Sequence, residues 1–234
     1  MNKEAHMSLA QDIKKFFKGE VDDSAAVLDT YSRDASVFRV RPHLAVFPKD
    51  VDDVKNLVSY ASAAQKQGVD ISLTARSAGT DMSGGPLTES IVMEFTKYIH
   101  DLKEIGEDYA VVEPGMYYRD FEKKTLEAGL LMPSYPASRE LCTVGGMVAN
   151  NSGGEKTLLY GKTEQYVEEL NVVLTDGNEY VFRALSPEKL VEKKQLNTFE
   201  WEIYRKMSAL IEDNREAIAA AKPQVTKNSS GYFL

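Results

Sequence analysis

The chain of 234 residues holds one cysteine, one tryptophan and three histidines. A single thiol, Cys142, excludes an internal disulfide, and it excludes a cysteine-ligated zinc or iron–sulfur cluster built by this chain alone. His6, His43 and His100 show no pair at metal-ligand spacing, so each reads as structural or solvated. Positive charge is in deficit, with 28 Lys and Arg against 36 Asp and Glu for a net charge of -8. A nucleic-acid partner would need a basic face, and none is expected. A small anionic ligand stays open, because converging backbone N–H groups hold an anion without net positive charge. No apolar run approaches a membrane span, and the N-terminus carries no signal-peptide pattern. The cytoplasm is the expected compartment. No internal repeat or low-complexity linker is visible.

What is present is periodicity of two kinds. After an irregular MNKEAHM, Leu9, Ile13, Phe16 and Phe17 fall at helical spacing, and residues 1–32 read as an N-terminal helical segment. Residues 43–47 read as a strand stopped by Pro48. Asp50 or Asp52 is placed to cap a helix with Val54, Leu57, Val58 and Ala61 inward, and Gly68 ends it. Residues 69–73 are the next strand, completing a βαβ unit whose connection is expected to be right-handed. Residues 91–95 give a third strand. Further on come a strand at 109–113, a helix at 117–128, and strands at 167–175 and 179–182 around the turn signal Asp176-Gly177-Asn178. A helix opens at Pro187, and one long helix is expected over 199–221. The class is α+β.

Glycine and small polar residues concentrate in two places. Residues 74–90 read TARSAGTDMSGGPLTES, between two apolar strands. Glycines let backbone N–H groups converge on an anion, Thr80 and Ser83 donate from hydroxyls, and Arg76 adds charge. A tight loop with no ligand is the competing reading, because glycine also serves strained turns. Residues 136–154 read PASRELCTVGGMVANNSGG. Two such cradles point to one extended ligand held between two lobes. Gly161-Lys162-Thr163 looks like the end of a nucleotide-hydrolase phosphate loop, but Lys156 stands where that loop needs glycine.

The ordered motifs RSAGTDMSGG (76–85), TVGGMVANNSGG (143–154), the hairpin with Asp176-Gly177, and NSSGY (228–232) resemble the FAD-binding domain of the vanillyl-alcohol oxidase/p-cresol methylhydroxylase family. The branch they resemble is the glycolate oxidase/D-lactate dehydrogenase type, over about residues 33–234. The resemblance implies a p-cresol methylhydroxylase-type fold of two subdomains with noncovalent FAD between them. A small βαβ lobe is expected over 33–105, and a larger lobe with antiparallel sheet and helices over 106–234. Arg76, Ser77, Ala78, Gly79, Thr80, Asp81, Met82, Ser83 and Gly84 would wrap the pyrophosphate. Ser138, Cys142, Thr143, Gly145 and Gly146 would line the flavin and ribityl chain, with Ala149, Asn150 and Gly153 nearby. Gly161 and Val167 would approach by backbone. Where relatives attach FAD covalently through this loop, a histidine stands at the position of Thr80, and a threonine cannot make that linkage.

The resemblance further implies oxidation of a 2-hydroxy acid to a 2-oxo acid. A non-catalytic FAD-binding module working through a partner chain is the alternative. In the family a further flavin-contacting segment and a substrate or cap domain follow, and these are not found before Leu234. Substrate-holding and catalytic groups are expected there or on a partner chain, so no catalytic base is named. An apolar edge left for docking would favour self-association.

Overall fold

The structure, a computed structural model, describes residues 3–225. The NSSGY motif at 228–232 lies outside the described residues. The chain divides into two compact units. The first runs to Val167 and includes Val173–Glu179; the second comprises Glu168–Val172 and the chain from Tyr180 on.

The first unit opens with α1 (Lys3–Lys14), β1 (Glu20–Asp22), α2 (Ala25–Thr30), β2 (Leu44–Phe47), α3 (Val51–Lys66), β3 (Leu73–Arg76) and β4 (Ile91–Glu94). The four strands form one sheet in the order β1-β2-β4-β3. β2, β4 and β3 run parallel, and β1 is antiparallel at the edge. β4 thus sits between the two strands of the βαβ unit. All residues of β2 and β4 are buried, as strands covered on both faces must be. Leu44, Val46, Ile91 and Met93 face Leu9 and Ile13 of α1 and Val54, Leu57 and Ala61 of α3. Ala45, Phe47 and Val92, one residue out of phase, pack with Leu28 of α2 on the other side. Asp50 caps α3 by accepting from the Asp53 N–H. The fully buried Asp53 carboxylate accepts from the backbone of Lys18, Gly19 and Lys49, which ties the α1–β1 turn to the start of α3.

A second core in the same unit gathers Met116, Tyr118, Phe121, Tyr135, Cys142, Val144 and Met147. It is built from the antiparallel pair β5 (Leu102–Ile105) and β6 (Ala110–Val112), from α4 (Tyr118–Glu127) and from α5 (Val144–Ala149). Short helical turns follow at α6 (Thr157–Tyr160) and Thr163–Tyr166.

β7 (Glu169–Val173) and β8 (Glu179–Arg183), most of whose residues belong to the second unit, make the hairpin that the Asp-Gly turn foretold. α7 (Pro187–Lys193), α8 (Phe199–Asp213) and α9 (Arg215–Ala221) follow. Ser186 and Thr198 cap α7 and α8, and Lys193 pairs with the buried Glu200 at 2.6 Å.

Several boundaries differ from the sequence expectation. α1 begins at Lys3, inside the stretch read as irregular. The strand expected at 69–73 is found at Leu73–Arg76, because the ladder with β4 starts where Leu73 meets Ile91. The long helix expected over 199–221 breaks at Asn214, where ψ is 16° and the side-chain amide donates to the Leu210 carbonyl at 2.8 Å.

Candidate functional site

Arg76 closes β3, so the first glycine-rich loop leaves the sheet at the carboxyl end of its parallel strands. That edge is where open α/β sheets place their ligands. A cavity of about 450 Å³ lies there, lined by residues that include Arg33, Asp34, Arg76, Gly79, Thr80 and Arg119. Ala35, Ala78, Tyr117 and Leu141 complete its wall. The volume is within the roughly 300–1,000 Å³ of small-molecule sites. Every lining residue belongs to the first unit.

The loop is shaped for an anion. Among the described residues, the backbone N–H groups of Ala78, Gly79 and Thr80 find no acceptor. Consecutive donors left unpaired at a cavity are available to a ligand. Gly79 has φ +68°, and a Cβ there would run into the Arg76 guanidinium. Asp81 turns the loop from inside, accepting from the Ser83 N–H and hydroxyl. Gly84 lies against the Phe38 ring.

Arg76 is used differently from the sequence expectation. Its buried guanidinium donates to the Arg33 carbonyl at 2.7 Å and to the Tyr31 carbonyl at 3.4 Å, and it lies 5.2 Å from the Tyr31 ring centroid. It fastens the segment before β2 to the loop after β3. The Ala35 N–H strengthens this clasp by reaching both the Gly79 and Asp81 carbonyls at 3.1 Å. Burial, the negative Glu94 nearby and the opposing pull of Arg76 leave the Tyr31 phenol pushed up to about 12. Asp34 has a buried Oδ2 with no hydrogen-bond partner. Burial raises its pKa, but hydrogen bonds from the Ser36 hydroxyl and amide and from the Gly84 and Asp34 backbone together hold it below the usual value.

The second glycine-rich segment meets the first at one point. Ser77 Oγ lies 3.0 Å from where a Cβ on Gly146 would stand. Thr143 caps α5 by accepting from the Gly146 N–H at 3.1 Å. The other glycines of the segment serve packing, because a Cβ on Gly145 would strike Pro114 and one on Gly154 would strike the Tyr135 carbonyl. Cys142 is buried in the second core, and burial pushes its thiol up against the opposing Ser138 hydrogen bond. Thr163, from the phosphate-loop look-alike, donates its buried hydroxyl to the Ser152 carbonyl at 2.8 Å.

Of the residues singled out from sequence, the structure brings Arg76, Ala78, Gly79 and Thr80 to the cavity wall, with Ser77 beside Gly146. Asp81, Met82, Ser83, Gly84, Ser138, Cys142, Thr143, Gly145, Gly146, Ala149, Asn150, Gly153, Gly161 and Val167 do not line it. Sequence reasoning missed Arg33, Asp34, Arg119 and Leu141. Arg33 lies more than forty residues before the loop in sequence, and no local pattern marks it. Unpaired donors on a wall that also carries arginine side chains suit a ligand carrying phosphate groups, as FAD does.

This is an α+β flavin-binding fold. The FAD binding domain family matches residues 42–182, and the chain belongs to that family, the p-cresol methylhydroxylase type, with FAD as its cofactor. The D-2-hydroxyglutarate dehydrogenase of Pseudomonas putida is 27% identical over 220 residues, which is 93% of this chain and 22% of that protein. The glycolate oxidase subunit GlcD of Bacillus subtilis is 32% identical over 162 residues, covering 67% of this chain and 33% of that one. The D-lactate dehydrogenase of Archaeoglobus fulgidus is 31% identical over 156 residues, covering 64% and 34%. The chain therefore spans 22% to 34% of the length of these relatives. A solved alkyldihydroxyacetonephosphate synthase shares the fold with a TM-score of 0.66 at 18% identity, over 82% of this chain and 37% of that one. A chitooligosaccharide oxidase shares it with a TM-score of 0.62 at 15% identity, over 76% and 37%.

Proposed function

We propose that this chain is the FAD platform of an oxidoreductase that converts a 2-hydroxy acid to the 2-oxo acid. The observation that carries the reading is the row of unpaired N–H groups at Ala78, Gly79 and Thr80 beside an arginine-lined cavity, within the family match. FAD, when bound, supplies the two-electron acceptor for the reaction. The loop amides hold the diphosphate. Arg76 fixes the loop against the Tyr31–Ala35 segment, and Ser77 meets Gly146 so that both glycine-rich segments bear on one ligand. The hold is noncovalent, since Thr80 cannot form a histidyl linkage.

The substrate class rests on the named relatives, whose names specify hydroxyglutarate, glycolate and lactate. Because the chain spans only 22% to 34% of them, the groups that hold the acid are proposed to lie in polypeptide outside the matched region or on a partner chain. The cytoplasm is the proposed compartment; no described helix is long and apolar enough to cross a membrane.

The test is spectroscopic. The chain is loaded with FAD and mixed anaerobically with D-2-hydroxyglutarate, D-lactate and glycolate, alone and then with candidate partner polypeptides. Tight FAD binding with slow bleaching alone and fast bleaching with a partner is the expected result. Failure to bind FAD overturns the reading. FAD binding without bleaching under any condition favours the non-catalytic module.

A further inference from the structure

We infer that Arg33, from the segment before the first buried strand, is the cation that neutralises the diphosphate of the bound cofactor. The inference rests on the FAD reading above. Three arginines line the cavity. Arg76 is committed to the Tyr31 and Arg33 carbonyls and the Tyr31 ring. Arg119 donates to the Glu140 carbonyl, stacks 4.3 Å from the Tyr117 centroid and lies 3.9 Å from the Asp120 carboxylate. The Arg33 side chain alone of the three has no hydrogen bond, ion pair or ring contact among the described residues.

Its placement is not left to chance. The Arg33 carbonyl is gripped by Arg76 at 2.7 Å, and the Ala35 N–H is shared between the Gly79 and Asp81 carbonyls. Two clamps therefore flank Arg33 and hold it against the loop whose N–H groups are unpaired. In a chain of net charge -8, a local cation adds to what the loop amides offer a diphosphate. A guanidinium suits phosphate oxygens because its fork donates two parallel hydrogen bonds. Arg76 acts through Arg33 and is a positioning residue.

The experiment compares wild type, Arg33→Ala and Arg33→Lys. Binding of FAD and of riboflavin, which lacks phosphate, is followed by flavin fluorescence at low and high salt, with a thermal melt of each apo protein. Arg33→Ala is expected to weaken FAD about tenfold or more, leave riboflavin within about twofold, and flatten the salt dependence. Arg33→Lys recovers part of the FAD affinity, and the apo melts coincide. Equal FAD affinity in wild type and Arg33→Ala overturns the inference while the FAD reading stands. So do equal losses for FAD and riboflavin. Absence of FAD binding by wild type overturns both.

Discussion

Ser77 Oγ stands 3.0 Å from the point where a side chain on Gly146 would begin. Residues of two glycine-rich segments, one at the end of a parallel strand and one inside a short helix, touch at that spot. The contact separates two kinds of glycine. Gly146→Ala asks Ser77 and Thr143 to give a few tenths of an ångström, and is expected to cost under about 1 kcal/mol while lowering FAD affinity. Gly145→Ala drives a methyl into Pro114 and is expected to cost about 1–3 kcal/mol. Chemical denaturation with parallel FAD titration distinguishes them; a Gly146→Ala protein with full FAD affinity would take Gly146 out of the site.

Gly79→Ala meets a different obstacle. At φ +68° the backbone is in the left-handed region, and the new methyl pushes on the Arg76 guanidinium. A loss of about 1–2 kcal/mol is expected. FAD affinity falls with it, because Arg76 is displaced from the carbonyls of residues 31 and 33. A melt and a titration on the same sample give both numbers.

Asp53→Asn serves as a control outside the cavity lining. The buried carboxylate accepts from three backbone N–H groups of the α1–β1 turn and the α3 start, at 2.7 to 2.9 Å. The amide presents one acceptor oxygen in place of two, leaving donors unpaired at about 1–3 kcal/mol. Stability is expected to drop by that order, with FAD affinity of the folded fraction unchanged. A change in affinity would couple the start of α3 to the site.

Tyr31 gives a pH signature. Its phenol is pushed up to about 12 in the folded chain, against an ordinary value near 10. Between those values the unfolded chain releases the proton and the folded chain keeps it, so unfolding becomes easier as pH rises. The stability present below pH ~10 is lost as pH climbs toward about 12. Tyr31→Phe is expected to show a shallower alkaline decline, measured by denaturant midpoints from pH 8 to 12. Parallel declines would assign the effect to other groups.

Any bound FAD should leave intact on acid or heat treatment, because Thr80 stands where a histidyl linkage would form. Flavin recovered in the supernatant after precipitation checks this. A fluorescent protein band in denaturing electrophoresis would point to another attachment residue.

The strands β2 and β4 were legible because strands buried on both faces read as continuous apolar runs, LAVF and IVME. The start of α3 at Asp50 and the Asp176-Gly177 hairpin were legible because capping and turn chemistry are local. The site was half legible. Ala78, Gly79 and Thr80 announce themselves by composition, and the family motif adds their partners. Arg76 read as a ligand-binding charge, but a buried guanidinium beside two carbonyls is committed before any ligand arrives. The break at Asn214 was hidden, because one side-chain amide decides it against a helical pattern on both sides. Arg33 and Asp34 were invisible for another reason: only the parallel pairing of β3 with β4 brings the loop to them.

The clasp made by Arg76 has a consequence for how the protein is divided. The family match opens at residue 42, yet Arg33, Asp34 and Ala35 line the cavity from before it, and Leu9 and Ile13 of α1 cover one face of the sheet. The segment that the family model covers and the folding unit are therefore not the same length of chain. Grafting residues 42–182 into another protein would transfer the glycine signature without one wall of the cavity and with the sheet's apolar face covered by α3 alone. A working transplant has to begin before α1.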